Sequence, residues 1–300
     1  MVVLDSYQLQ IFLAVVESGS YTAAARRLHL TQPAVSRQMR LLQKQLGVSL
    51  LRRAGRRMVP THAGERLAEV SRQVLDMSRQ VEQEMALLRG ETVGVLRVGG
   101  SGAPAWYVLG RLAAPFRAAF PGIGLQLRPL PPEGAGRALR EGRLDLALAE
   151  EEISERGLAC DLVMGMECLL VVPPDEQWSQ RKRMPLRKLP EVPLILPAHD
   201  TPARSFLEER LVAQGIGLTS TVPALEVADP GAALPLVAAG LGAALLPQPL
   251  LEGHAPTVHP VTLWPGISWP IYLVRRSPPV DALVDMFCQF TLGKRKVPQR

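Results

Sequence analysis

Cysteine, histidine and aromatic residues are scarce in this chain. Its three cysteines, Cys160, Cys168 and Cys288, are odd in number and show no Cys-x-x-Cys or Cys/His spacing. That excludes a disulfide framework or a zinc motif as the organising feature. They read as buried apolar side chains in a reducing compartment; a redox-sensing pair of Cys160 with Cys168 is the sharper alternative. The five histidines, His29, His62, His199, His254 and His259, form no recognisable triad or metal spacing. No catalytic residue, metal or cofactor is expected, so an enzyme is the least supported class. No apolar run approaches the roughly 18–20 residues that span a bilayer. Residues 1–18 carry Asp5 and Glu17 in place of an apolar signal block. The expectation is a soluble, cytoplasmic protein without a membrane partner.

One further absence is local. Between Ser18 and Gly64 there is no Asp or Glu, yet the stretch holds Arg26, Arg27, Arg37, Arg40, Lys44, Arg52, Arg53, Arg56 and Arg57. A solvated helical surface ordinarily mixes signs, because i,i+4 pairs stabilise it. Exclusion of carboxylates points to a polyanion as the partner. The net charge of +6 is uneven as well: residues 1–92 carry 13 basic and 8 acidic side chains, whereas the remaining 208 are nearly balanced.

What is present in that stretch is a pair of short helices. Tyr21, Ala24, Ala25 and Leu28 recur at i, i+3, i+4 and i+7, with Ser20 as N-cap. The pattern breaks at His29-Leu30. Thr31 caps a second helix, and Pro33 sits in its first turn, where a missing N–H costs nothing. Val35, Met39, Leu42 and Leu46 then share one face, while Arg37, Arg40 and Lys44 lie opposite, flanked by Gln32 and Ser36. A helix with those two faces can pack on its own domain and enter a DNA major groove. Leu9, Phe12, Leu13 and Val16 supply a further helix ending at Gly19. The arms around Ala54-Gly55 form a hairpin bracketed by arginines, as in the wing of a winged helix-turn-helix. The plainer alternative is an ordinary basic surface on an ordinary helical hairpin.

The runs Leu9-Gln-Ile-Phe-Leu-Ala-Val, Gly19-Ser-Tyr-Thr-Ala-Ala-Ala, Thr31-Gln-Pro-Ala-Val-Ser-Arg-Gln, Leu46-Gly-Val and Thr61-His-Ala-Gly closely resemble the N-terminal domain of LysR-type transcriptional regulators. The resemblance implies double-stranded promoter DNA as partner. Arg26, Gln32, Ser36, Arg37 and Arg40 would lie at the groove, Thr31 and Pro33 would set the helix start, and Arg53 and Arg57 would belong to the wing.

From Thr61 to about Arg89 there is no proline. Leu67, Val74, Val81 and Leu88 repeat every seven residues, with Val70 and Met77 between them, and the seam breaks only at Glu84. A helix of that length spans about 40 Å, too long to bury in a small domain. Pairing with a second copy is its simplest use, and the family's linker helix dimerises in the same way. A solitary helix packed on the following domain is the alternative.

After Glu91 the texture becomes alternating strands and helices, which implies a mostly parallel sheet covered on both faces. The strands are read over 93–99, 124–128, 144–149, 167–172, 194–196, 224–227, 242–247 and 271–275. The helices are read over 108–120, 134–141, 203–214, 231–239 and 280–292. The Pro-rich region from Pro173 to Pro197 reads as loops. The series, and the phrase Leu236-Val-Ala-Ala-Gly-Leu-Gly-Ala-Ala-Leu-Leu-Pro, resemble the two-lobed, periplasmic-binding-protein-like effector domain of the same family. The expected fold is therefore an all-α winged helix-turn-helix (residues 1–61), a linker and dimerisation helix (62–90), and a C-terminal α/β effector domain (91–293). Its lobe I covers about 91–164 and 266–293, and lobe II about 165–265; a basic tail (294–300) follows.

Gly100-Ser101-Gly102-Ala-Pro-Ala105 matches a dinucleotide fingerprint on its face, but no Asp or Glu occurs from Val93 through Pro132 to hold a ribose. The turn still offers backbone N–H groups and a hydroxyl at a strand's C-terminal end. The resemblance places a small-molecule effector between the lobes, lined by Ser101, Gly102, Pro131 and Glu150 on one side and Thr201 and Ala228 on the other. The loop Leu130-Pro-Pro-Glu-Gly lacks hydroxyl residues and Glu150 is acidic, which favours a neutral or cationic effector over a dicarboxylate. The resemblance also implies a homodimer that pairs further into a homotetramer, with RNA polymerase as partner if the protein activates. A sequence-tolerant architectural DNA binder, or a solute-binding module with a basic appendage, are the other classes.

Overall fold

The computed structural model describes residues 4–131, 134–175, 178, 181–199, 201–217, 225–228, 230–252, 257–278 and 281–293. The loop residues Pro132 and Glu133, the start of the strand expected at Ala224, His254, the expected helix start at Val280 and the basic tail lie outside them. The chain forms two compact units. One runs from the N-terminal end to Glu91 and includes Arg140–Arg143; the other comprises Thr92–Leu139 and the chain from Leu144 on.

In the first unit each helix starts at a polar cap. Asp5 accepts from the Tyr7 N–H before α1 (Ser6–Ser18), and Ser20 accepts from Ala23 before α2 (Tyr21–Arg27). Thr31 accepts from Ala34 before α3 (Gln32–Leu46), and Thr61 from Gly64 before α4 (His62–Leu88). Such caps satisfy N–H groups that the helix itself cannot. Gly19 and Gly47 end α1 and α3 in the left-handed conformation. His29, between α2 and α3, is the one described non-glycine residue with positive φ, at 55°. The sequence pattern breaks there because the chain must turn a tight corner.

Ile11, Phe12, Val15, Ala24, Val35, Met39, Leu42 and Leu50 make the core of this unit. Helix α1 buries more than one stripe, since Ile11, Ala14 and Val15 are buried along with Leu9, Phe12 and Leu13. Strands β1 (Leu51–Ala54) and β2 (Arg57–Pro60) pair antiparallel as the expected hairpin. It is fastened by Gln43, whose side chain accepts from the Leu50 N–H at 2.8 Å, and by Met58, whose N–H donates to the Gly19 carbonyl at 2.8 Å. Gly64 tolerates no side chain: a Cβ there would lie 2.0 Å from the Leu50 carbonyl oxygen.

In the second unit β3 (Gly94–Gly100) pairs in parallel with β4 (Ile123–Pro129) and with β5 (Leu146–Ala149). Helix α5 (Gly102–Ala119) follows β3 directly, starting six residues earlier than the periodicity indicates. Gly100-Ser101-Gly102 reads as a turn, and Gly102, with φ +72°, is indeed still turning as the helix begins. α5 packs on α9 (Ala282–Gly293) through Phe116, whose ring lies 4.9 Å from that of Phe287 and 5.5 Å from that of Phe290. Asp145 is buried and accepts from the Arg97 backbone N–H at 2.7 Å and from its Nη2 at 2.7 Å, which ties β3 to the start of β5.

Two long antiparallel strands, β6 (Leu158–Val172) and β11 (His259–Arg276), carry the chain between lobes. At one end Tyr272–Arg275 pair with β5; at the other Cys168–Val171 pair with β10 (Ala244–Pro247). Beyond β10 lie β8 (Ile195–Pro197) and β9 (Leu225–Val227), parallel to each other and joined to β10 by the Leu194–Ala243 bridge. The sequence reading marked only the tips, 167–172 and 271–275. The middles carry Gly165, Pro260, Pro265, Gly266 and Pro270, residues that ordinarily interrupt strands, and the register does shift between Thr262 and Ile267. The Pro-rich region is likewise not all loop: β7 (Arg183–Pro185) pairs in parallel with β11, and a 3-10 turn covers Leu186–Glu191. Between β4 and β5 lies α6 (Gly134–Arg140), while α7 (Pro202–Val212) and α8 (Ala233–Ala238) follow β8 and β9.

Candidate nucleic-acid interface and ligand site

Helix α3 turns Val35, Met39 and Leu42 into the core and leaves Gln32, Pro33, Arg37, Arg40 and Lys44 exposed, with Ser36 half-buried. Thr31 and Pro33 stand at its start as the sequence pattern requires. Arg26, on α2, is exposed, as are Arg52, Arg53, Arg56 and Arg57 on the hairpin. Among the described residues only Arg27 of these nine cations forms an ion pair, with Glu17. Arg53 donates to its own turn at the Gly55 carbonyl, 3.1 Å away. Arg27 apart, these are exposed positive charges without an ion pair among the described residues, carried on the polar face of one capped helix, on α2 and on the hairpin, and suited to a phosphate backbone. Gln43, which fixes the hairpin against α3, has no sequence signature, since a glutamine on a helix gives no local sign of that role.

On α4 the usual burial pattern is inverted. Val70, Val74, Met77, Val81 and Leu88 are exposed, Leu88 by 80%. Ser71, Asp76, Gln80 and Gln83 are the buried polar side chains. Leu67 departs from the expected seam: it packs against the N-terminal core. A row of exposed apolar side chains on one helix marks a surface with an unsatisfied partner.

The residues expected at a ligand form two groups. Ser101, Gly102, Pro131 and Glu150 follow β3, β4 and β5 and meet at the C-terminal ends of those parallel strands, where Leu130 donates to the Gly100 carbonyl at 3.0 Å. Ser101 is buried and stands at the N-cap of α5 without a side-chain capping bond. Gly102 has φ +72°, and the space its Cβ would take is filled by Glu150, whose Oε1 lies 2.0 Å from that point. Glu150 is only 9% exposed. A carboxylate so placed is favoured by the helix dipole and leaves no room there for a second anion.

Thr201 and Ala228 make the second group, at the ends of β8 and β9, where Ala198 donates to the Val227 carbonyl at 2.8 Å. The Thr201 hydroxyl is committed to structure: it donates to the Ala198 carbonyl at 2.6 Å and caps α7 at Arg204. Beside it lies a cluster without a sequence signature, because Glu226 comes from β9, away in the chain from His199 and Arg204. Arg204 is buried, bonds Glu208 at 2.6 Å and sits 3.6 Å from Glu226, which also meets His199 at 3.2 Å. A further link joins α5 to the 3-10 turn Gln248–Leu251: the Tyr107 hydroxyl donates to Glu252 at 2.5 Å and accepts from Arg111 at 2.9 Å.

The redox pair is overturned. Cys160 and Cys168 lie on one continuous strand, eight residues and so about 26 Å apart, far beyond the roughly 7 Å Cα separation a disulfide allows. Burial pushes the Cys168 thiol up to about 12 and Cys288 to about 11, and it raises Cys160 as well. At pH 8 a thiol of pKa about 12 is thiolate in about one molecule in ten thousand. Native protein treated with iodoacetamide at pH 8 should therefore leave Cys168 and Cys288 unlabelled, and urea should expose both; mass spectrometry of the tryptic peptides reads the result.

Among the described residues no cluster of His, Cys, Asp or Glu could hold a metal, and no helix is long and apolar enough to cross a membrane. Two family models match the chain: "Bacterial regulatory helix-turn-helix protein, lysR family" over residues 7–65, and "LysR substrate binding domain" over residues 89–294. The HTH-type transcriptional regulator TfdS of Cupriavidus pinatubonensis is 33% identical over 259 residues, covering 85% of this chain and 86% of its own. The RuBisCO operon transcriptional regulator of Allochromatium vinosum is 28% identical over 291 residues, covering 96% and 95%. Among solved structures, full-length CbnR complexed with its target DNA matches with a TM-score of 0.72 at 26% identity, over 97% of this chain and 99% of that one. A full-length OxyR variant from Pseudomonas aeruginosa shares the fold, with a TM-score of 0.74 at 18% identity, over 96% of this chain and 95% of that one.

Proposed function

Since this chain belongs to the LysR family of transcriptional regulators, with a DNA-binding helix-turn-helix domain and an effector-binding α/β domain, we propose which residues carry each task. Helix α3 enters the major groove, with Gln32, Ser36, Arg37 and Arg40 toward the bases and Arg26 on the flanking backbone. Thr31 and Pro33 hold the helix start there. Arg53 and Arg57 lie on phosphates beside it. The observation that carries this reading is the exposed polar face of α3, whose Arg37, Arg40 and Lys44 form no ion pair among the described residues. Helix α4 pairs with a second copy through Val70, Val74, Met77, Val81 and Leu88, and Leu67 supports the seam from the core side. The domains divide at residues 61 and 90. Dimers pair into a tetramer in the cytoplasm, RNA polymerase is contacted where the protein activates, and no catalytic step is involved.

The effector binds where Ser101, Gly102, Pro131 and Glu150 face Thr201 and Ala228 across the two lobes. Glu150 already occupies the anion position at the start of α5, so the ligand presents a neutral or cationic group to it. The test is recovery of genomic DNA fragments by the purified full-length protein at near-physiological salt. A few sharp peaks at promoters are expected, and the neighbouring genes then narrow the effector. A flat profile that vanishes with added salt would leave only backbone binding, as in an architectural protein.

A further inference from the structure

A second concave site lies away from those strand ends. It is a cavity of about 400 Å³ bounded by the middle of β6, the middle of β11 and the C-terminal end of α7. That volume is within the range of small-molecule sites, roughly 300–1,000 Å³. Leu162, Ile267 and Pro270 give it an apolar wall, and Ser268, Tyr272, Gln214 and Arg210 bring the polar groups. No Asp or Glu lines it, and among the described residues no carboxylate lies within ion-pair distance of Arg210. The guanidinium instead stands 5.5 Å from the centre of the Phe206 ring.

Gly165 shapes the floor. The Ser268 Oγ lies 2.2 Å from where a Cβ at 165 would be, so only glycine lets that hydroxyl turn into the strand pair. Burial, with Glu152 and Cys160, raises the Tyr272 phenol, and Arg210 pulls it back only in part. Tyr272 therefore offers a neutral O–H donor. One cation, two hydroxyls and an amide beside an apolar wall match a singly charged acid with an apolar body. A phosphate dianion would find too few positive charges.

We propose that this cavity is a second ligand site, taking a small monocarboxylate with an aromatic or branched aliphatic body, its acid on Arg210 and its body against Leu162 and Ile267. The position gives the ligand a lever. Residues 162–165 of β6 and 266–271 of β11 lie between the pairing with β10 and the pairing with β5, which begins at Tyr272. A ligand that braces these strands against α7 favours one angle between the lobes over others, and so biases any state that depends on that angle.

Phenylacetate is a suitable probe, titrated into the full-length protein by calorimetry and by saturation-transfer NMR. The expected result is one site per chain that Arg210→Gln weakens about tenfold or more, as expected when a charge-assisted hydrogen bond is removed, and that Leu162→Glu abolishes by setting a like charge against the acid. Arg210 is exposed, so its replacement leaves the core intact. Ser101→Ala and Glu150→Gln should leave this binding unchanged, which separates the site from the one at the strand ends. Absence of binding at about ten millimolar (weaker than any useful small-ligand affinity), equal affinity in Arg210→Gln, or loss of binding in Ser101→Ala would each overturn the proposal.

Discussion

Val74→Glu combined with Val81→Glu should turn the protein into a monomer and remove most of its affinity for a two-half-site operator. Both side chains are exposed on α4, at 43% and 55%, and glutamate is at least as good a helix former as valine. The single chain therefore loses little by the change, and its circular dichroism should stay close to the parent's, while its melting temperature should fall by the contribution of dimerisation and lose its dependence on protein concentration. In a dimer the same residues would place four like charges in an apolar seam, where each unpaired charge is costly. Two recognition helices held on one duplex gain affinity through effective concentration, and that gain, about 10²–10⁴-fold, is what the monomer forfeits. Sedimentation velocity and a band-shift titration on a recovered promoter fragment read both effects. A variant that stays dimeric would remove α4 from the interface; a monomer that keeps full affinity would remove the need for two half-sites.

How far the sequence carried these readings depended on whether a signal was local. Caps, the Pro33 start and the two faces of α3 lie within a few turns of one another, and each appears where the periodicity puts it. The apolar repeat of α4 was legible for the same reason. A seam kept for a second copy implies exposed valines in one chain, as found, whereas the burial of Ser71, Gln80 and Gln83 depends on packing that a heptad pattern does not record. The long strands β6 and β11 were half hidden, because their glycines and prolines ordinarily end strands, and the register shifts between Thr262 and Ile267 and between Ile271 and Tyr272. In the ligand domain Ser101, Gly102 and Glu150 could be named one by one from strand ends. The close approach of Glu150 to the Gly102 backbone links residues 48 positions apart and has no sequence signature. The Arg204–Glu226–His199 cluster was invisible for the same reason.

Within the DNA-binding unit, Arg37→Ala and Arg57→Ala should fail in different ways. Arg37 is exposed on the polar face of α3, opposite the buried Val35, Met39 and Leu42. A bidentate bond from such an arginine to a base edge is worth about 1–3 kcal/mol of discrimination. Its removal should lower affinity for the recovered promoter by about fivefold to more than a hundredfold while leaving binding to random-sequence DNA nearly unchanged. Arg57 stands at the start of β2, beside the end of α1, its guanidinium Nε 3.1 Å from the point a Cβ at Gly19 would occupy. On the proposed assignment it meets the phosphate backbone and not the bases. Arg57→Ala should weaken binding to every sequence alike and flatten the plot of log affinity against log salt by about one unit, the signature of one phosphate no longer neutralised. Neither side chain carries an internal ion pair among the described residues, so both variants should fold as the parent does. Fluorescence anisotropy on promoter and random duplexes across a salt series separates the two outcomes. Equal reductions on both duplexes for Arg37→Ala would take α3 out of base recognition and leave that arginine bound to phosphate alone.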